Sequence, residues 1–419
     1  MTPTRDPAAA GTAGRYSAIT WAVLGLAAVL YYYLRFRTDF GGTEIFLRAG
    51  DCMLRGEPLG TCSLGFAYPP LLALFMVPLS MLPAWAGNLA WYGVLVATTY
   101  GCFRICETLT VAAFGVTQRE LVWMRLFTVI LSLKFVLDVF GNQAYDTLVL
   151  FFLLVGLYGL SENKTFLGAF GLAVAAALKA TPLLMLVYPL LHRKWKLVAL
   201  GIALCAVLSF LPDVLLPPKD PNAGYLRSWV VQIAGAALFG TRPAEEYAIF
   251  QQAAIYFNQS LKAFVYRLLE PGNLPWKDVP ASTQVILYAV YLVYCVAALA
   301  IVLRSMRREG AHLWGASVVL ISMLLLSPIS SKSHFIFLLL PHMVIVGYLL
   351  KHRELWAATL PLLCASLVLN ALASRWPAGR ELSVKMLNLG NMTIATLLLL
   401  AVVAVIVFRE RKDSQPAPA

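Results

Sequence analysis

Residues Phe166–Leu191 read FLGAFGLAVAAALKATPLLMLVYPLL, with Lys179 as the one charged side chain. A membrane crossing needs about 20 mostly apolar residues, and this run exceeds that. Lys179 and Pro182 interrupt it near its centre. Proline removes a backbone donor and clashes with the preceding turn, so one straight helix is not expected. The run starts beside Lys164 and ends at His192-Arg193-Lys194-Trp195-Lys196. Basic residues flanking apolar segments favour the cytoplasmic side. The stretch therefore reads as two short helices that meet on the outer side of a membrane.

The rest of the chain repeats the pattern. Further apolar blocks are Ser17–Leu34, Leu71–Leu82, Gly87–Cys106, Leu121–Phe140, Tyr145–Leu160, Leu197–Leu216, Val285–Leu303, Leu313–Leu326, Phe335–Leu350, Leu355–Leu372 and Met392–Phe408. The expectation is an all-α polytopic membrane protein with about 11 to 13 membrane segments. Of the 419 residues, 60% are hydrophobic and 13% charged. Such a composition excludes an ordinary soluble enzyme and a disordered scaffold. The net charge of +12 sits largely in short basic loops such as Arg304–Arg308, Lys351-His352-Arg353 and Arg409–Lys412. It forms no basic stripe interleaved with aromatics, so nucleic acid is not an expected partner.

The polar N-terminus, residues 1–16, reads as a disordered cytoplasmic segment, and residues 409–419 as a cytoplasmic tail. Residues 17–408 form one transmembrane domain with two sizeable outer loops, 35–69 and 217–282. In the first, Thr43–Arg55 has helical spacing with Ile45, Ala49 and Cys52 or Met53 on one face, a pattern suited to the lipid interface. In the second, Phe250, Ala254, Phe257, Leu261 and Val265 recur at helical spacing across Tyr247–Leu269. Cys52 and Cys62 share the first outer loop, where pairing is open to them. No internal repeat of the kind common in transporters is visible.

Ionisable groups at membrane depth are costly and call for a reason. Asp39 follows the first helix closely and can accept a proton from a hydroxyl; it can equally be a solvated loop acid. Lys179, beside the helix-breaking Thr181-Pro182, can bind an anion or snorkel. The amides of Asn142, Gln143, Asn258 and Gln259 can bind sugar hydroxyls or cap helices. Lys332 and His334, after Ser327-Pro328-Ile329-Ser330-Ser331, can contact a phosphate or a hydroxyl. His342, inside the next block, reads as packing. No metal cluster, Gly-rich phosphate loop or Ser/His/Asp arrangement is present.

These motifs occur in a known order: an acid after helix one; Phe66-Ala67-Tyr68-Pro69-Pro70-Leu71; Gly141-Asn142-Gln143; Ala177-Leu178-Lys179-Ala180-Thr181-Pro182; Asn258-Gln259-Ser260; and Leu326-Ser327-Pro328-Ile329-Ser330. Together they resemble the family 87 glycosyltransferases, integral-membrane enzymes of the bacterial plasma membrane with the C-type glycosyltransferase fold. The resemblance runs from about Asp39 to Pro341. It implies a hexosyltransferase that takes a sugar, most often mannose, from a polyprenyl-phosphate donor. The acceptor would be a glycolipid or an envelope glycan, the transfer inverting, and the site on the periplasmic or exterior side. Asp39 would then be the catalytic base. Lys179, Lys332 and His334 would contact the donor phosphate. Tyr68, Asn142, Gln143, Asn258 and Gln259 would contact sugar or acceptor. No cofactor or metal is expected, because a polyprenyl phosphate is already a good leaving group. The sequence departs from the family at Ser331-Lys332-Ser333-His334, where a Trp, an acid and a His pair are usual. A secondary transporter or lipid flippase is the competing reading of so many helices.

Overall fold

The computed structural model describes residues 25–26, 29–36, 41–220, 224–235, 255–270 and 278–409. They are helical and contain no strand. Six helices are long and apolar enough to span a membrane: Ala84–Phe114, Trp195–Leu215, Ala281–Ser305, Lys332–Lys351, Arg353–Leu372 and Asn391–Arg409. Five shorter apolar helices accompany them: Pro70–Ser80, Asp146–Ser161, Thr165–Leu178, Thr181–Leu191 and Ala311–Leu326. Gln118–Asn142 is as long as the spanning helices but carries Arg125, Lys134 and Asp138.

The peripheral helices expose apolar side chains, as a surface meeting lipid must. Val285, Leu292, Val293 and Val296 project outward from Ala281–Ser305. The segment Lys332–Lys351 lies at the centre instead, with Phe335 through Leu340 almost fully buried. His342 is the packing residue expected: its Nδ1 lies 3.0 Å from the Ser132 hydroxyl, and its ring stacks on Phe135.

One hairpin decides where the charges meet. Asp146–Ser161 and Thr165–Leu178 run antiparallel and pack through glycines. A Cβ at Gly156 would fall 2.7 Å from the Leu172 side chain, and one at Gly171 only 2.5 Å from the Gly156 nitrogen. Small residues let membrane helices approach this closely. The turn at residues 162–164 is tied to the next basic loop by Lys194 Nζ, which donates to Asn163 Oδ1 at 2.8 Å. The free ends of the hairpin therefore lie together at its far end. There the chain breaks as expected: Lys179 is extended, and a 3-10 turn over Thr181–Leu186 leads into Val187–Leu191.

The basic loops share one end of the bundle. Lys351 Nζ lies 3.3 Å from Glu120 Oε2, and Glu120 completes a capping box with Thr117 at the start of Gln118–Asn142. Phe114 packs against Trp314 and Tyr348, and Gly315 abuts Tyr188, linking these turns to the His192–Lys196 loop. At roughly 1.5 Å per residue, Gln118–Asn142 is about 37 Å long. Asn142, and Asp146 just beyond it, thus lie at the opposite end.

Two expectations for the outer loops are corrected. The helix in the first loop is present at Thr43–Leu54, but its buried face is Phe46, Ala49, Gly50, Cys52 and Met53. That face packs on protein, not lipid: a Cβ at Gly50 would fall 2.7 Å from the Met76 backbone. In the second loop, Phe250 and Ala254 lie outside the described residues, and no helix runs through Phe257. Residues 255–260 form a turn, and the helix starts at Leu261, where the Ser260 hydroxyl caps the Ala263 amide. Cys52 and Cys62 form a disulfide.

Candidate active site

Asp146 is the first residue of its helix and Lys179 the residue that ends the next one. Each charge sits where the helix dipole favours it, the carboxylate at an N-terminus and the ammonium at a C-terminus. Lys179 Nζ donates to Asp146 Oδ1 at 2.6 Å, with side chains only 11% and 2% exposed. The buried carboxylate has a further neighbour: His334 Nε2 lies 3.9 Å from Oδ1. The Ser331 amide donates to His334 Nδ1 at 3.3 Å. That contact sets the tautomer with the proton on Nε2, facing Asp146.

Aromatic rings wall this cluster. The Lys179 ammonium lies 5.6 Å from the ring centres of Tyr145 and Phe337, close enough for cation–π attraction. Tyr68 meets Tyr145 edge-on at 4.9 Å, and Phe46 packs on both and on Trp91. Burial first, and the Asp146 charge second, push the Tyr68 phenol above its ordinary range, so it stays a protonated donor.

Gln143 stands beside the cluster in a left-handed conformation, φ 49°. The Trp91 indole donates to its backbone carbonyl at 3.0 Å. Its side chain is fully buried, yet neither amide atom has a hydrogen-bond partner among the described residues; the same holds for the Tyr145 hydroxyl. Unpaired buried polar atoms are rare enough in folded proteins to need an explanation.

The other residues singled out in the sequence lie as follows. Asn142 is exposed, and its carbonyl abuts Gly42. Asn258 and Gln259 hold the Ser327–Ser330 loop in place. Asn258 donates to the Pro328 carbonyl and accepts from the Ser330 and Ser260 amides. Gln259 donates to the Tyr256 and Leu387 carbonyls, both at 2.7 Å. Lys332 turns away from the Asp146 cluster and donates to the Ala373 carbonyl at 2.8 Å. Asp39 lies outside the described residues. The described chain on either side of it ends against the same place: Phe36 is linked through Tyr92 to Phe140, and Gly42 touches Asn142.

The family model for glycosyltransferase family 87 matches residues 66–328. The chain belongs to glycosyltransferase family 87. No curated protein and no solved structure matches it. The matched span of this family 87 member contains Tyr68, Asn142, Gln143, Lys179, Asn258 and Gln259. It also contains Asp146, which the sequence reading left unremarked inside an apolar block. The signal was there: a carboxylate opening a 16-residue apolar helix is as costly at membrane depth as the lysine that drew attention.

Proposed function

We propose that the protein transfers a sugar, with mannose the first candidate, from a polyprenyl-phosphate donor to a glycolipid or envelope-glycan acceptor. The carrying observation is the convergence of Lys179, Asp146 and His334 at the bundle end opposite the basic loops. Basic loops favour the cytoplasm, so the proposed site faces the periplasm or exterior of a bacterial plasma membrane.

In this reading Lys179 meets the donor phosphate. An ammonium has three N–H donors, and Asp146 accepts one of them. The pairing holds the amine in one place and leaves donors for a phosphate oxygen. His334 Nε2–H adds a neutral donor at the same spot. Fixed donors aimed at the departing phosphate stabilise the charge that develops as the glycosidic bond breaks. Asp39 is proposed as the base that takes the acceptor proton, giving inversion at the anomeric carbon. The amide of Gln143 and the hydroxyl of Tyr145, without partners among the described residues, suit sugar hydroxyls. Asn258 and Gln259 support this arrangement by bracing the loop that leads to His334. The proposed reaction needs no metal, since the phosphate leaves without one.

The test is a panel of polyprenyl-phosphate sugars offered to purified protein with membrane glycolipid as acceptor. Release of polyprenyl phosphate coupled to a new glycosidic product is the expected result. Movement of headgroups across proteoliposomes with no such product would replace the proposal with the transport reading.

A further inference from the structure

Glu107 is an acid inside the apolar helix Ala84–Phe114, and the proposed transfer does not use it. It is buried and holds two arginines. Arg125, from the neighbouring helix Gln118–Asn142, grips it twice: Nε donates to Oε2 at 2.7 Å and Nη2 to Oε1 at 2.8 Å. Arg104, a turn away on the same helix as Glu107, donates from Nη1 to Oε1 at 3.0 Å. One carboxylate against two guanidiniums leaves a positive charge over. Among the described residues no second acid pairs with either arginine. A charge at membrane depth is costly and ordinarily has a partner.

The surplus faces outward. The Arg104 side chain is 44% exposed and that of Arg125 27%. The surface around them is apolar and aromatic: Tyr100, Val122, Trp123, Leu126 and Phe127 are exposed, with Trp123 and Phe127 stacked at 5.8 Å. Such a surface meets lipid.

Depth decides what reaches it. Phe114 and Gln118 mark the basic-loop end of the bundle. At 1.5 Å per residue, Glu107 and Arg125 lie about 10 Å from that end and Arg104 about 15 Å. A bilayer of about 40–45 Å has a hydrocarbon core of about 30 Å, which leaves a headgroup layer of roughly 5–8 Å on each side. The arginines start just below this layer, and their long stems let the guanidiniums rise to the phosphates. Trp123 lies nearer the end, where indoles favour the interface. A guanidinium has five N–H donors in a rigid fork that matches phosphate. Arg125 spends two on Glu107 and Arg104 one, so both keep donors for a second anion.

We propose that Arg104 and Arg125, set in place by Glu107, bind the phosphodiester of an anionic phospholipid in the leaflet on the basic-loop side. One phosphodiester cancels the surplus charge. A zwitterionic headgroup brings its own ammonium and gains less. Basic pockets between membrane helices on the cytoplasmic side suit such headgroups. The site lies at the end opposite Asp146 and Lys179, and the inference does not rest on the transferase reading.

The test is equilibrium binding of fluorescent phosphatidylglycerol to the purified full-length protein in neutral detergent micelles, with phosphatidylcholine as the zwitterionic comparison. Arg104→Gln removes the surplus charge while Arg125 keeps Glu107 paired, so this variant should fold. Glu107→Gln keeps an acceptor and adds a positive charge. Arg307→Gln, at an exposed position in another basic loop, is the control. Melting in detergent checks that each variant folds. Phosphatidylglycerol should bind wild type more tightly than phosphatidylcholine. Its apparent Kd should rise about fivefold in Arg104→Gln, roughly 1 kcal/mol, fall in Glu107→Gln and stay unchanged in Arg307→Gln. Equal Kd in wild type and folded Arg104→Gln, or equal affinity for the two lipids, would overturn the inference. Where Arg104→Gln fails to fold, an unchanged Kd in Glu107→Gln overturns it instead. An equal loss in Arg307→Gln would reduce the effect to net charge and also overturn it. Displacement by inorganic phosphate would make this a site for free anions and not for lipid. A second chain that stays with wild type in detergent and is lost in Arg104→Gln would put a partner's acid in the lipid's place.

Discussion

Asp146 and Lys179 are 33 residues apart in the chain and 2.6 Å apart in space. A tight glycine-packed hairpin brings them together: Asp146 opens its first helix and Lys179 ends its second. Removing either partner leaves a buried charge uncompensated, at a cost of about 3–5 kcal/mol. Asp146→Leu and Lys179→Met should each lower the melting temperature in detergent. The double variant should recover most of the loss, because an apolar pair carries no desolvation penalty. Equal melting of all four proteins would show that the pair is not formed.

Activity should not follow stability in that series. Lys179→Met should cost about 10²–10³ in kcat, the usual effect of losing one fixed donor to a developing charge. The double variant should stay as slow although it folds well. Steady-state transfer rates compared with melting temperatures separate the two effects.

Gln143→Asn keeps a residue that tolerates positive φ while shortening the amide that has no partner among the described residues. Stability should change little. The KM for donor or acceptor should rise by about tenfold, near the 1–1.5 kcal/mol of one hydrogen bond. An unaltered KM for both substrates would remove Gln143 from the substrate contacts.

The Cys52–Cys62 disulfide closes a short loop, and losing it should cost about 2–4 kcal/mol. The Cys52→Ser, Cys62→Ser double variant should melt lower. Mass spectrometry without reductant should find the two cysteines linked in the wild type and five free thiols.

Membrane sidedness can be read by labelling. A cysteine at exposed Asn142 should react with an impermeant maleimide in intact cells. One at Lys194, at the basic end, should react only after the membrane is opened. The reverse pattern would turn the proposed site toward the cytoplasm.

Much of the fold was legible because hydropathy and basic loops report membrane segments directly. The break at Lys179–Pro182 and the helix near Thr43–Leu54 follow from proline chemistry and helical spacing. Which face of that helix is buried did not follow: apolar spacing marks a face without saying whether lipid or protein covers it, and Gly50 supplies the contact that decides. Across residues 255–260 the helical periodicity misled for a related reason. Ser260, a strong helix starter, interrupts a run whose apolar spacing continues through it. At the site, Lys179 stood out by its isolation. Asp146 did not, because its partner lies two helices' length away in sequence and composition averages hide a single acid. The division between His334, which joins the cluster, and Lys332, which leaves it, depends on the 3-10 turn they share. No sequence spacing revealed that turn.

The most direct test of the account is the rate of polyprenyl phosphate release by wild type, Asp39→Ala and Lys179→Met, purified and assayed side by side with a polyprenyl-phosphate mannose donor. The account predicts acceptor-dependent release by the wild type, near-complete loss in Asp39→Ala and a loss of about 10²–10³ in Lys179→Met, with all three proteins folded. Wild-type rates in both variants would contradict it.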